Sequence, residues 1–157
     1  MSISVIIPAK NEEAIILKTL QKFEESWIVD EEHEILIIND NSSDKTTELV
    51  NNKNFEKLKI VLINNPKIGL GSAITCGIDR SSKEFISIYM ADMSDSLNDL
   101  KIYYEKIKNN KLLDAIFGSR FVKDSKITNY PKVKLFLNRL ANNLIKIIFF
   151  SKYNDFT

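Results

Sequence analysis

Cysteine is nearly absent. Cys76 is the only one, which excludes an internal disulfide and fits a reducing compartment. Histidine is as scarce: His33 stands alone, in a charged stretch expected to form an exposed turn. A Ser-His-Asp triad or a zinc site would have to be built around that single ring, and neither is expected. No run of about 18 apolar residues occurs, so no segment is expected to span a bilayer. The start of the chain has no basic, apolar and small-residue succession of the signal-peptide kind, so the expected location is the cytoplasm. Net charge is also small, +1 at neutral pH, and gives no general pull towards nucleic acid. With three prolines and four glycines, there is no flexible linker, low-complexity tract or repeat.

What is present is an ordinary globular composition, 44% hydrophobic and 27% charged over 157 residues. That is enough for one domain with a sizeable core. Short apolar runs alternate with helical spacing. Strands are expected at 3–7, 34–38, 59–63, 85–90 and 115–117, and helices at 12–23, 44–52, 71–80 and 97–108. The inward face of the 97–108 helix is expected to carry Ile102, Tyr103 and Ile107. A longer helix at 132–150 has Val133, Phe136, Leu137, Leu140, Leu144, Ile147 and Ile148 on one wide apolar face, among Lys132, Lys134, Arg139 and Lys146. It suits either core packing or a surface that meets anionic lipid.

This alternation predicts an α/β fold, a Rossmann-like and mostly parallel sheet with helices on both faces. Ligands of such sheets bind beyond the carboxyl ends of the strands. Those ends are polar and acidic here: Pro8-Ala9-Lys10-Asn11-Glu12, Asn39-Asp40, and Ala91-Asp92-Met93-Ser94-Asp95. Asp40 follows a buried strand, where a carboxylate needs a partner, and a base-edge N–H or a ribose hydroxyl would suit it. Ser43 and Asp44 read as helix caps. An EF-hand loop over 40–51 is excluded by Lys45 and Asn51 at the positions that need Gly and Glu. Gly69-Leu70-Gly71-Ser72 opens a helix whose N–H groups, at Gly71 among others, could accept a diphosphate. It is neither a dinucleotide fingerprint, because Ile74 replaces the third glycine, nor a P-loop. Asp92 and Asp95, three residues apart, could hold a hard divalent cation on substrate phosphates. Asp95 or Ser96 could equally cap the next helix, with Asp99 completing a capping box.

Together these segments resemble the family-two glycosyltransferases of GT-A fold, closest to the dolichol-phosphate-mannose synthase-like group. The stretches that carry the resemblance are Val5-Ile6-Ile7-Pro8-Ala9-Lys10-Asn11-Glu12-Glu13, Glu34 through Thr46, Gly69-Leu70-Gly71-Ser72-Ala73, Met90-Ala91-Asp92-Met93-Ser94-Asp95 and Asp114-Ala115-Ile116-Phe117-Gly118-Ser119-Arg120.

The resemblance implies an inverting transfer of a sugar from a GDP- or UDP-linked donor to a polyprenyl phosphate at a membrane surface, in glycan assembly. It implies that Pro8, Ala9, Asn11, Glu12, Asp40 and Gly71 form the nucleotide pocket. Asp92 would be the last acid of an Asp-x-Asp motif that holds Mg2+ or Mn2+. The first acid of that motif is Met90 here, and Asp95 is the candidate replacement. Arg120 would face the acceptor phosphate, and Arg139 would be a second arginine doing so. Residues 1–122 would then be the nucleotide and metal part of a single domain, and 123–157 its acceptor side. The last residues, Asn154-Asp155-Phe156-Thr157, resemble the start of a segment that continues in the family, so truncation is expected, with donor binding outlasting transfer. Two alternatives stand beside this reading. One is a transferase to a saccharide acceptor, with Asp114 or Asp155 as base, and the other is a nucleotide-binding remnant without transfer activity.

Overall fold

The computed structural model describes residues 1–119, 121, 131–151, 153 and 155. Its elements in chain order are β1 (Ser2–Ala9), α1 (Ile16–Glu24), β2 (Glu32–Asn39), α2 (Thr46–Asn52), β3 (Ile60–Asn64), α3 (Leu70–Arg80), β4 (Phe85–Ile88), α4 (Leu97–Asn109) and α5 (Lys132–Ile148), with a short 3-10 turn at Trp27–Asp30. The four strands form one sheet in the order β3-β2-β1-β4, and every pairing is parallel. Residues 115–117, expected to be a fifth strand, form none among the described residues.

The central strands β1 and β2 are apolar and buried on both sides because helices cover both, whereas Val61 of β3 and Ile86 and Ile88 of β4 stay exposed. On one side Ile3, Val5, Ile7, Ile35 and Ile37 pack with Ile16, Leu20 and Phe23 of α1, Val50 of α2, and Leu100 and Tyr104 of α4. On the other side Ile6, Leu36 and Ile38 meet Ala73 of α3, with Cys76 partly buried against them. Here Gly77 is required: a Cβ at that position would run into Cγ2 of Ile6. The absent side chain lets α3 lie close on β1.

Two expectations are corrected on this frame. His33 lies in β2, buried, opposite Ile3. Its Nδ1 bonds the Glu31 carbonyl at 2.9 Å and its Nε2 accepts from the Lys59 N–H at 3.5 Å. The strand begins at Glu32, earlier than the apolar run suggests, and so takes the ring inside. In α4 the buried face is Leu100 and Tyr104, while Ile102 is exposed. Tyr104 is drawn in because its ring stacks on Trp27 at 5.2 Å and its hydroxyl donates to Glu31 Oε2 and the Met1 carbonyl. A large ring with both stacking and hydrogen bonds outweighs a bare Ile side chain.

The chain divides into two compact units, Met1–Asp114 and Ala115–Thr157. The first holds the sheet and α1–α4. The second holds α5, and the apolar arc read from its sequence is exposed along its whole length, from Val133 to Ile148. The less exposed residues of α5 are Leu135, Asn138, Ala141, Asn142 and Ile145.

Candidate functional site

The strand order reverses at β1: β2 and β3 extend to one side and β4 pairs on the other. A crevice opens at such a switch point, beyond the carboxyl ends of the two diverging strands. The loop after β1 carries Asn11 and Glu12, and the loop after β4 carries Asp92 and Asp95. Thr19 of α1 donates to the Ala91 carbonyl at 2.7 Å, and the Tyr89 N–H donates to the Ile6 carbonyl at 2.9 Å. Both bonds tie the β4 loop to β1 and α1.

The loops after β1 and β2 are laced together. The Asn11 N–H donates to Ser42 Oγ at 3.0 Å, and Asn11 Oδ1 accepts from the Ser43 N–H at 2.8 Å. The Glu12 N–H donates to Thr46 Oγ1 at 2.8 Å and the Glu13 N–H to Asp44 Oδ2 at 3.0 Å, while Glu13 Oε2 accepts from the Lys45 N–H at 2.9 Å. Asn11 and Asn41 both have φ of 57°, the left-handed region that asparagine tolerates better than most residues. Asp44, expected as a cap, stands one residue before the cap position of α2, which is Lys45, and its Oδ1 accepts from the Thr46 N–H at 2.9 Å. Ser43 does not cap; it bonds across to Asn11. Pro8 and Ala9 end β1, buried and paired with Ile38 and Asn39 of β2, while the backbone N–H groups of Asn11 and Glu12 are taken up by Ser42 and Thr46 of the next loop.

Asp40 already has partners. Its Oδ1 accepts from Asn65 Nδ2 at 2.7 Å and from the Gly69 N–H at 2.9 Å, and Lys10 Nζ lies 3.5 Å from Oδ2. The Gly69 N–H, Asn65 and Lys10 hold its carboxyl below the usual carboxylate range, against the opposing cost of burial. The carboxylate did need a partner, and the fold supplies it from the loop between β3 and α3. Gly69 needs its freedom there, with φ of 117°. Gly71, in contrast, has open space where a Cβ would stand. Asn65 and Lys10 are the members of this cluster that sequence reasoning passed over. Asn64-Asn65-Pro66 was legible as a strand end, and nothing local marks Asn65 as a reader of Asp40.

In the β4 loop, Asp92 Oδ1 accepts from the Ser94 N–H at 2.9 Å and Asp95 Oδ2 from the Met90 N–H at 2.8 Å. Met93 between them has φ of 59°. Ser96, not Asp95, caps α4, its Oγ accepting from the Asp99 N–H at 3.3 Å. Asp95 thus closes the loop through the backbone of Met90, the residue standing where a first acid is expected. Burial, then the charges of Asp92 and Asp44, push the Glu12 carboxyl up. The crevice therefore concentrates negative charge. Among the described residues no three His, Cys, Asp or Glu side chains converge as a complete metal site. Hard oxygen donors, one or two from protein and the rest from substrate phosphates, are nonetheless what Mg2+ takes, and the acids at this crevice fit that pattern.

Arg120 lies outside the described residues. Arg139, on α5, holds its guanidinium 5.6 Å from the centre of the Phe121 ring. Asp114 ends the first unit and Asp155 belongs to the second.

Comparison with known proteins points to one family. The model of glycosyl transferase family 2 matches residues 4–156. A probable glycosyltransferase of Bacillus subtilis, YdaM, is 35% identical over 74% of this chain and 29% of its own length. A dolichol-phosphate mannosyltransferase of Pyrococcus furiosus is 27% identical over 90% of this chain and 39% of its own. A dolichyl-phosphate beta-glucosyltransferase of Trichomonas vaginalis, ALG5C, is 31% identical over 73% and 35%. The chain thus spans roughly a third of the length of these curated relatives. Among solved structures, S. aureus TarS in complex with UDP-GlcNAc superposes with a TM-score of 0.57 at 23% identity, over 69% of this chain and 32% of that one. That likeness establishes the GT-A fold. With its whole length but the first three and last residues matched by one family model, the chain belongs to glycosyl transferase family 2.

Proposed function

We propose that the chain serves transfer of a sugar from a nucleotide-diphosphate donor, GDP- or UDP-linked, to a polyprenyl phosphate, with inversion at the anomeric carbon. The observation that carries this reading is the meeting of the β1 and β4 loops at the switch point, where the charge of Asp92 adds to burial in pushing the Glu12 carboxyl up. The names of two relatives, both dolichol-phosphate sugar transferases, support the acceptor class.

In this reading an acceptor phosphate oxygen attacks the anomeric carbon and forms the new C–O bond. The bond from that carbon to the donor diphosphate breaks, and the nucleoside diphosphate leaves with the electron pair. A phosphate is already an anion near neutral pH, so no strong base is required and positioning supplies much of the rate. Pro8, Ala9, Asn11 and Glu12 would wall the nucleotide. Asp40 would act by positioning, holding the Asn65–Gly69 loop against the pocket, and Gly71 leaves room beside it. Arg120 and Arg139 would orient the acceptor phosphate. Mg2+ or Mn2+, held by Asp92 with Asp95 beside it, would neutralise the departing diphosphate.

A thermal-shift panel of GDP, UDP and their sugar conjugates, with and without manganese, tests the donor half. Stabilisation should follow RT ln(1 + [L]/Kd), and Asp92→Asn should remove its manganese-dependent part. A panel in which no nucleotide raises Tm would sink the reading. Radiolabelled transfer to polyprenyl phosphate in detergent tests the acceptor half.

A further inference from the structure

Two buried hydroxyls lie outside the donor chemistry. Thr19, on the inner face of α1, is 1% exposed, and Tyr89, just past β4, is 3% exposed. A helical threonine commonly turns its hydroxyl back to the carbonyl four residues earlier, and Ile15 offers that partner at 3.3 Å. The shorter contact goes elsewhere, to the Ala91 carbonyl at 2.7 Å, 72 residues along the chain. Ala91 is 2% exposed, so water cannot take over from the hydroxyl as donor. The Tyr89 hydroxyl donates to the Asp95 carbonyl at 2.8 Å, while its ring packs edge-on against Phe23 of α1.

The two carbonyls so held bracket Asp92, one directly before it and one three residues after. Between them Met93 has φ of 59°, a region that residues with a Cβ seldom adopt. Such a turn persists where its surroundings over-determine it. Within the loop, the Met90 N–H donates to Asp95 Oδ2 and the Ser94 N–H to Asp92 Oδ1, both at exposed positions. Water competes for such bonds and leaves them little net strength. The bonds from Thr19 and Tyr89 start from buried side chains and fasten the loop to α1 and to the end of β4.

We infer that Thr19 and Tyr89 are positioning residues: through the Ala91 and Asp95 carbonyls they set the 91–95 loop in advance and hold Asp92 at the crevice before donor and metal arrive. This rests on the reading of Asp92 as the acid that holds the cation.

Three substitutions test it. Thr19→Val keeps the shape and loses the hydroxyl, Thr19→Ser keeps the hydroxyl and loses the methyl, and Tyr89→Phe loses only the hydroxyl. Hydrogen exchange of the full chain, without nucleotide or metal, reads the loop at the Met90 and Ser94 amides. Amides paired between β1 and β2 open with the whole molecule and report the global loss. Beyond that loss, Thr19→Val should speed loop exchange about tenfold and Tyr89→Phe about threefold, with Thr19→Ser near wild type. The rise in Tm with UDP or GDP should lose most of its manganese-dependent part in Thr19→Val and keep it in Thr19→Ser. Tyr89→Phe, which leaves the ring in place, carries the same test should Thr19→Val not fold. Loop exchange in Thr19→Val and Tyr89→Phe no faster than the global change would overturn the inference. So would intact manganese-dependent binding on a loosened loop, or Thr19→Ser behaving as Thr19→Val does, which would make Thr19 a packing residue. A wild type without any manganese-dependent rise sinks the reading of Asp92 instead, and amide exchange alone then decides whether the two hydroxyls hold the loop.

Discussion

α1 and α5 carry the same kind of apolar periodicity and meet opposite fates. In α1, Ile16, Leu20 and Phe23 are wholly buried against the sheet. In α5, the corresponding stripe of Phe136, Leu140 and Leu144 is about half exposed or more. Periodicity states which residues share a face. What covers that face is decided by surfaces elsewhere, and those are not written in the helix.

The sharpest way to break this comparison is to truncate one large side chain in each helix. Phe23→Ala should cost about 3–5 kcal/mol, because the ring also meets Tyr89 edge-on at 4.8 Å. Phe136→Ala should move stability by no more than about 0.5 kcal/mol. Urea unfolding of the two variants measures both, and equal losses would mean that the α5 arc is covered in solution.

A second contrast lies within the first unit, between Asp40, whose charge the fold satisfies, and Glu12, whose charge it opposes. Asp40→Ala leaves the Gly69 N–H and Asn65 without their acceptor and should cost about 1–3 kcal/mol, and nucleotide affinity should fall with it as the loop loosens. An unchanged Tm would show that the loop is held by something else. The pH dependence has a definite sign. A folded carboxyl lowered from its ordinary value adds stability above the unfolded pKa, and loses it as pH falls through the folded one. The Tm gap between wild type and Asp40→Asn should therefore narrow once pH drops below about 4.

Glu12 is the smallest effect and the opposite sign. Its raised pKa favours the folded state below the unfolded pKa, an advantage lost as pH rises through the folded value. At neutral pH the ionised side chain works against folding. Glu12→Gln should then raise the apo Tm by about 1 °C while weakening manganese-dependent nucleotide binding. A fall in Tm would mean that the acids do not strain the crevice.

Much of this was legible in the residues. The β–α alternation, the carboxyl-end loops and the cap at Ser96 are local signals, each written within a few residues. What was illegible depends on distant partners. Asp40 could be read as needing a partner, but Asn65 lies 25 residues away. Tyr104 replaces Ile102 on the inner face of α4 because Trp27, Glu31 and Met1 wait for it. His33 reads as exposed because its neighbours are charged, although strand pairing with Ile3 carries it in. Residues 115–117 have a strand's composition and form no strand among the described residues.

The strand order has a consequence for how the molecule comes into being. β1 leaves the ribosome before β2, β3 and β4, yet it sits inside the sheet, between β2 and β4. Its pairing with β2 joins Ile3 to His33, whereas its pairing with β4 joins Ile3 to Phe85, about eighty residues later, a loop whose closure slows folding. At synthesis rates of about 5–20 residues per second, one edge of the most hydrophobic strand stays unpaired for several seconds. The nascent chain is then most prone to aggregate after β2 has docked and before Phe85–Ile88 emerges, and that interval is where a chaperone would be most useful.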